Sequence, residues 1–254
     1  MGPISFRRHA ELLSVALTLA IGLHSADASA RSCSNGALRV GVDVGHSRTA
    51  PGAMSATGRP EYEFNKRFAE ELIERGKTWS SALQLLLLNP SGREISLERR
   101  PREAADRKVD LFVSIHHDSV NKKYMRRWEH QGRSLEYSDV FKGFSLFVWE
   151  QGPHAKESIA IASLMGKYLR SAGVSPTLHH AEPIAGENRR LLNREVGVYS
   201  APFAVLKSAS MPAVLFEVGI IANREEEREL NEPSYRARIQ SELLGALVDY
   251  CGRR

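Results

Sequence analysis

Residues 38–46 read Leu-Arg-Val-Gly-Val-Asp-Val-Gly-His. A short valine-rich run ends at Gly45, and a histidine follows it. Such a run, bounded by glycine, reads as a strand covered on both faces. The pattern recurs downstream. Leu111–Ile115 (LFVSI) leads into His116-His117-Asp118, and Ala213–Phe216 (AVLF) leads into Glu217. Leu83–Leu88, stopping at Asn89-Pro90, and Phe144–Trp149 (FSLFVW) are two further strands. Between these runs the period changes. Glu61–Arg75 places Phe64, Phe68, Leu72 and Ile73 on one stripe. Lys156–Ser171 carries Ile161, Leu164, Met165, Tyr168 and Leu169, and Ser234–Tyr250 lines up Tyr235, Ile239, Leu243 and Leu247. Leu97–Lys108 is charged and reads as a surface helix. Strands alternating with helices give an α/β fold, a mostly parallel twisted sheet of about six strands with helices on both faces. Residues 120–143 have no clear period and read as a lid, a binding loop or a disordered insertion.

The chain of 254 residues suits one domain. Residues 1–30 fall outside it. Arg7 and Arg8 precede an apolar run from Leu12 to Leu23, and Ala28-Ser29-Ala30 supplies small residues for cleavage. This is the pattern of a secretory signal peptide, too short for a spanning helix. An exported protein is expected, periplasmic or else extracellular, with no stable membrane insertion. The formal charge is +5, and the charges of residues 1–30 (Arg7, Arg8, Glu11, Asp27) cancel. A mildly basic exported chain is drawn to anionic polymers. No nucleic-acid motif is present. Cys33 and Cys251 stand at the two ends of the mature chain, where oxidation could join them; the alternative is two unpaired thiols.

If the three strands that lead into His46, His116-His117 and Glu217 are parallel, those residues converge on one sheet edge, where open α/β sheets bind ligands. Glu61 can join them, because the loop from Ser47 to Pro60 holds Gly52, Gly58 and two prolines and can fold back. Two imidazoles and a carboxylate, with a fourth position open, make a catalytic zinc set. Each residue also has a plainer reading. His46 could bond its own turn, and Glu61 could merely favour a helix start. Glu217 is the least plain, since a carboxylate among apolar residues must be paired, metal-bound or shifted in pKa. No HExxH, GxSxG, GxxxxGK(S/T), GxGxxG or CxxC pattern is present. His179-His180 is a second histidine pair, in a polar stretch with no strand leading into it.

Together these segments resemble the zinc-dependent N-acetylmuramoyl-L-alanine amidases of the bacterial cell wall (type 3 amidase catalytic domain). The likeness lies in VGVDVGHSRTAPGAMSATGRPEYEFN, VDLFVSIHHDS and MPAVLFEVGIIANREEEREL, and it covers roughly residues 38–250. It implies that residues 31–254 form the catalytic domain, with an insertion at about 120–143. It implies that His46, Glu61 and His116 hold one zinc ion and that Glu217 is the catalytic glutamate. It implies peptidoglycan as substrate and cleavage of the amide between the lactyl group of N-acetylmuramic acid and L-alanine. Some relatives insert an inhibitory helix after the strand matching Phe144–Trp149; the spacing here leaves no room for it. The sequence departs from the pattern at Asn89-Pro90, where the family has Thr-Arg, at His117-Asp118 and at Ile220. No regulatory protein partner is identifiable. A zinc peptidase acting within the stem peptide and an inactive wall-binding regulator are the alternatives.

Overall fold

A computed structural model describes residues 36–252, with Met1 and Gly2. The apolar run and cleavage pattern expected to form a signal peptide, and Cys33, lie outside the described residues. Cys251 is disulfide-bonded.

In chain order the strands and α-helices are β1 (Leu38–Val44), α1 (Glu61–Gly76), β2 (Leu83–Leu88), α2 (Arg99–Asp106), β3 (Leu111–Asp118), β4 (Arg126–His130), β5 (Arg133–Tyr137), β6 (Ser145–Val148), α3 (Ala155–Ser171), β7 (Arg190–Asn193), β8 (Val198–Ser200), α4 (Ala204–Lys207), β9 (Ala213–Ile220), α5 (Arg224–Asn231) and α6 (Pro233–Gly252). Seven strands form the main sheet in the order β2-β1-β3-β9-β6-β8-β7. β2, β1, β3 and β9 run parallel. β6 runs against β9, β8 follows β6, and β7 turns back. All five expected strands are present; the short β7 and β8 bring about six to seven.

Alternation along the central strands divides the core. Val40, Val42, Val44, Leu111, Val113 and Ile115 pack beneath α1, α3 and α6. Phe112, Phe147, Tyr199 and Leu215 face the other side, toward α2 and α4. Helices therefore cover both faces, as expected. Strands β3 and β9 run further than the sequence suggests: His116 and Glu217 lie within them, not after them. Helix α5 was not expected. Asn223 caps it, its side chain accepting from the N–H groups of Glu225 and Glu226, and three glutamates fill the first turn.

The segment 120–143 is ordered. Its centre is a hairpin, β4 against β5, closed by Gln131-Gly132 with φ of 50° and 72°. Two positive φ values are what a type I′ turn needs. Trp128 Nε1 donates to the Ala56 carbonyl at 2.9 Å, and the Arg224 guanidinium lies 3.9 Å from the Tyr137 ring centroid. The disordered alternative is thereby corrected. No helix of the described residues is long and apolar enough to cross a membrane.

Candidate active site

His46 follows β1 in a left-handed conformation, φ 67°. Such backbone is costly without glycine and persists only where the surroundings impose it. The surroundings here are α2 and β3. The Gly45 N–H donates to the Ile115 carbonyl at 2.9 Å. Arg100 donates to the carbonyls of Val44 at 2.6 Å and His46 at 2.5 Å. The same guanidinium lies 2.9 Å from Asp43, which also accepts from Ser114 at 2.7 Å. Arg100 and Asp43 are both buried. Helix α2 is therefore not merely a surface helix. Its one buried arginine donates to an aspartate and two carbonyls, and it holds the histidine turn in place.

The loop from Ser47 to Pro60 folds back as its glycines and prolines suggest. The Glu61 and Tyr62 N–H groups donate to the carbonyls of Ala53 and Pro51 at 2.8 and 2.9 Å. These loop bonds satisfy donors that a helix N-terminus leaves open. They also fix Glu61 at the mouth of the sheet. Its carboxylate bridges two rings: Oε2 lies 2.9 Å from His46 Nε2, and Oε1 lies 3.0 Å from His116 Nδ1. Burial opposes charge on Glu61, but the hydrogen bonds to His116 and His46 outweigh it and hold the carboxyl well below its usual range. Asn65, one turn along α1, donates to Glu61 at 3.0 Å and to the Gly45 carbonyl at 3.2 Å.

The two adjacent histidines part by strand alternation. His116 joins Ser114 and Phe112 on the α2 side, and His117 turns toward α1. His117 Nδ1 lies 2.7 Å from Asn65 Oδ1. Asn65 turns its amide nitrogen to Glu61, so the oxygen accepts and the His117 ring donates from Nδ1. Burial pushes this imidazole down to about 3, which keeps it neutral.

Glu217 is the register partner of His116 across β3 and β9. A bulge follows at once: Asp118 pairs with Ile220. Bulges beside active sites re-aim side chains. Glu217 is partly buried, and its Oε2 is enclosed without a hydrogen-bond partner among the described residues. Burial, then the charges of Asp118 and Glu61, push its carboxyl well above the usual range.

The residues fit a metal ion. The donor atoms of His46, Glu61 and His116 lie within 4.8 Å of one another. The space around them is kept clear by glycine. A Cβ on Gly45 would lie 2.5 Å from the His116 ring, and one on Gly52 would lie 2.4 Å from Glu61 Oε2. A cavity of about 290 Å³ opens onto His46 and His116, with Glu94, Leu97 and Val205 in its wall. A larger hollow, about 790 Å³, adjoins it through Ile95 and Ser96 and carries Arg93, Arg99, Arg102 and Arg107. The larger hollow holds none of the four key residues, so the smaller one marks the chemistry.

The family model described as N-acetylmuramoyl-L-alanine amidase matches residues 40–249. The chain belongs to this family. It is 26% identical to the probable N-acetylmuramoyl-L-alanine amidase AmiB of Haemophilus influenzae, over 84% of this chain and 52% of that protein. It is also 26% identical to the amidase AmiA of Escherichia coli K12, over 85% of this chain and 77% of that one. The chain thus spans about half the length of the Haemophilus relative. The amidase from Clostridium difficile 630 superposes with a TM-score of 0.66 at 20% identity, covering 85% of this chain and 97% of that structure. The catalytic domain of the amidase CwlV from Paenibacillus polymyxa gives 0.64 at 22%, covering 85% and 99%. At such identities the structures speak for the amidase fold.

Four residues named from the sequence meet in one place. Of four others that hold them there, Asp43 and Arg100 did not stand out in the sequence, whereas Asn65 and Ser114 belong to the pattern that carries the family resemblance.

Proposed function

We propose that this protein is an exported, zinc-dependent amidase of the bacterial cell wall, acting in the periplasm. It hydrolyses the amide between the lactyl group of N-acetylmuramic acid and the L-alanine of the stem peptide in peptidoglycan. Family membership supports the reaction. The single observation that carries the mechanism is the placement of Glu217 in register beside His116, at the rim of the His46–Glu61–His116 cluster.

His46, Glu61 and His116 would hold the ion and leave a position open. When bound, zinc polarises the scissile carbonyl and lowers the pKa of water toward about 7. Glu217 supplies the proton traffic. In its ionised form, which a cation held at His46, Glu61 and His116 would favour, it takes a proton from the attacking water and returns it to the leaving L-alanine nitrogen. Its enclosed Oε2 has no competing hydrogen bond among the described residues to hold it back. Asn65 and His117 orient Glu61, and Arg100 orients the His46 turn. The arginine-lined hollow next to the cavity suits the carboxylates of a stem peptide.

Glu217→Gln tests the reading. It should retain about one zinc ion per chain at His46, Glu61 and His116 and lose about 10²–10⁴ in rate on purified peptidoglycan. Mass analysis of the digest should show intact stem peptides with a free L-alanine amino end, absent when a chelator is added. Near-full activity of the variant, or cuts within the stem peptide, refutes the proposal.

A further inference from the structure

A second cluster of metal-binding side chains lies at the end of β3. Asp118, His179 and His180 each offer one ligand atom within 4.8 Å of the others. The two histidines sit on a single 3₁₀ turn, His179–Ala181, with ring centroids 3.9 Å apart. Both aim Nε2 at the same carboxylate oxygen. His180 Nε2 lies 2.7 Å from Asp118 Oδ2, and His179 Nε2 lies 3.5 Å from it. The second distance makes no hydrogen bond: His179 Nε2 is enclosed and has no partner among the described residues. His179 is only 2% exposed. An unmatched imidazole nitrogen at that depth is costly unless something else takes its lone pair.

The other ring nitrogens explain what that something is. His180 Nδ1 is held by Glu187 Oε2 at 2.8 Å, and His179 Nδ1 by Thr177 Oγ1 at 2.9 Å. A histidine that binds a metal through one nitrogen gives the other to a carboxylate, hydroxyl or carbonyl, which fixes its tautomer and angle. Both rings meet that requirement and leave both Nε2 atoms converging. Aromatic neighbours lock the rings. Phe141 stacks on His179 at 5.1 Å, and Phe147 meets His180 edge-on at 4.9 Å. The arrangement parallels the first cluster, where two imidazoles bracket Glu61 at 2.9 and 3.0 Å.

We propose that Asp118, His179 and His180 form a second metal site, taking zinc or a similar borderline divalent cation, separate from the His46–Glu61–His116 centre. Two imidazoles and one carboxylate select such an ion over calcium or magnesium. The bound ion pins the polar segment that carries His179 and Glu187 to the end of β3. It also sets a positive charge on Asp118, one of the two carboxylates that bear on Glu217.

Metal analysis of the full exported chain, purified without chelator, tests this. The wild type should carry about two zinc ions per chain, and His179→Ala or His180→Ala should carry about one. Asp118→Asn is a second, near-isosteric variant should either alanine variant fail to fold. His46→Ala should also carry about one, and the double variant His46→Ala/His180→Ala none. Anomalous diffraction at the zinc edge should show two peaks in the wild type. One ion per chain in the wild type, unchanged by His180→Ala, overturns the proposal and leaves the cluster as a hydrogen-bonded Asp–His–Glu array. Loss of amidase activity with both ions retained would bear on the proposed reaction instead.

Discussion

Arg100→Ala should be among the most damaging single substitutions outside the residues proposed to bind metal or move protons. The side chain is 4% exposed, and its partner Asp43 is 1% exposed. Three hydrogen bonds disappear together: those to Asp43 at 2.9 Å, to the Val44 carbonyl at 2.6 Å and to the His46 carbonyl at 2.5 Å. Asp43 is left with Ser114 alone, at 2.7 Å. Removing one partner of a buried ion pair costs about 3–5 kcal/mol, mostly from the uncompensated charge. Domains of this size hold about 5–15 kcal/mol in all. The melting temperature should fall by about 6–20 °C, at about 2–4 °C per kcal/mol. Denaturant unfolding is the assay. Because the cost is asymmetric, removing the charge at both ends should hurt less than additivity demands. Arg100→Met with Asp43→Asn should recover at least about 1 kcal/mol of coupling. Zinc affinity should fall as well, since the His46 turn loses its anchor at φ 67°. A loss under about 1 kcal/mol for Arg100→Ala, or strict additivity in the double variant, refutes the reasoning.

Three further outcomes follow from the same geometry. Asn65→Ala should weaken zinc binding by about 10–100-fold in a competition titration with a chromophoric chelator, because Glu61 loses one of the donors that orient it; unchanged affinity would remove Asn65 from the supporting shell. Gly52→Ala should reduce the metal content of protein that still folds, since its Cβ would lie 2.4 Å from Glu61 Oε2 at φ +79°; full zinc content would show that the cradle is not tight. Glu226, buried and accepting from the N–H groups of Gly143 and Ile220, has its carboxyl pushed up to about 7, chiefly by burial. A raised folded pKa means that the stability it confers is present below about 4.5 and lost as pH rises through about 7. Glu226→Gln should therefore gain about 3 kcal/mol relative to the wild type between pH 5 and pH 8, and parallel pH–stability curves would contradict the shift.

Much of this was legible in the chain because the informative residues stood next to strong local signals. Valine-rich runs gave the strands, and each of His46, His116 and Glu217 stood at or near the end of one. The parallel direction of β1, β3 and β9 then made their convergence a matter of topology. Glu61 needed more. Nothing local separates it from an ordinary helix-start carboxylate, and its placement depends on bonds to Ala53 and Pro51 across the loop. Arg100 was hidden for the opposite reason. It sits in a charged helix, and its burial is set by Asp43 and two carbonyls of another element, none of which leaves a mark on the periodicity of α2. The hairpin was missed although Gln131-Gly132 is a turn signal, because β4 and β5 alternate polar with aromatic residues and bury little.

Strand alternation contained one more piece of information. In β3 the residues Leu111, Val113 and Ile115 face α1, and Phe112, Ser114, His116 and Asp118 take the other side. The second set turns polar toward the strand's end. β1 does the same at Asp43, and β9 at Glu217. Three neighbouring strands thus place Asp43, Ser114, His116, Glu217 and Asp118 along one face of the sheet, over helices that supply little apolar cover at that edge. A buried polar row of this kind is stable only if each member has a partner. Arg100 and Ser114 both donate to Asp43 at one end, and Glu61 meets His116 in the middle. At the other end Asp118 meets His180. Besides Arg100 Nε and Ser145 Oγ, two atoms of this neighbourhood stay unmatched among the described residues, Glu217 Oε2 and His179 Nε2. One is where the proposed chemistry needs a free carboxylate, and the other is where the second cation would bind.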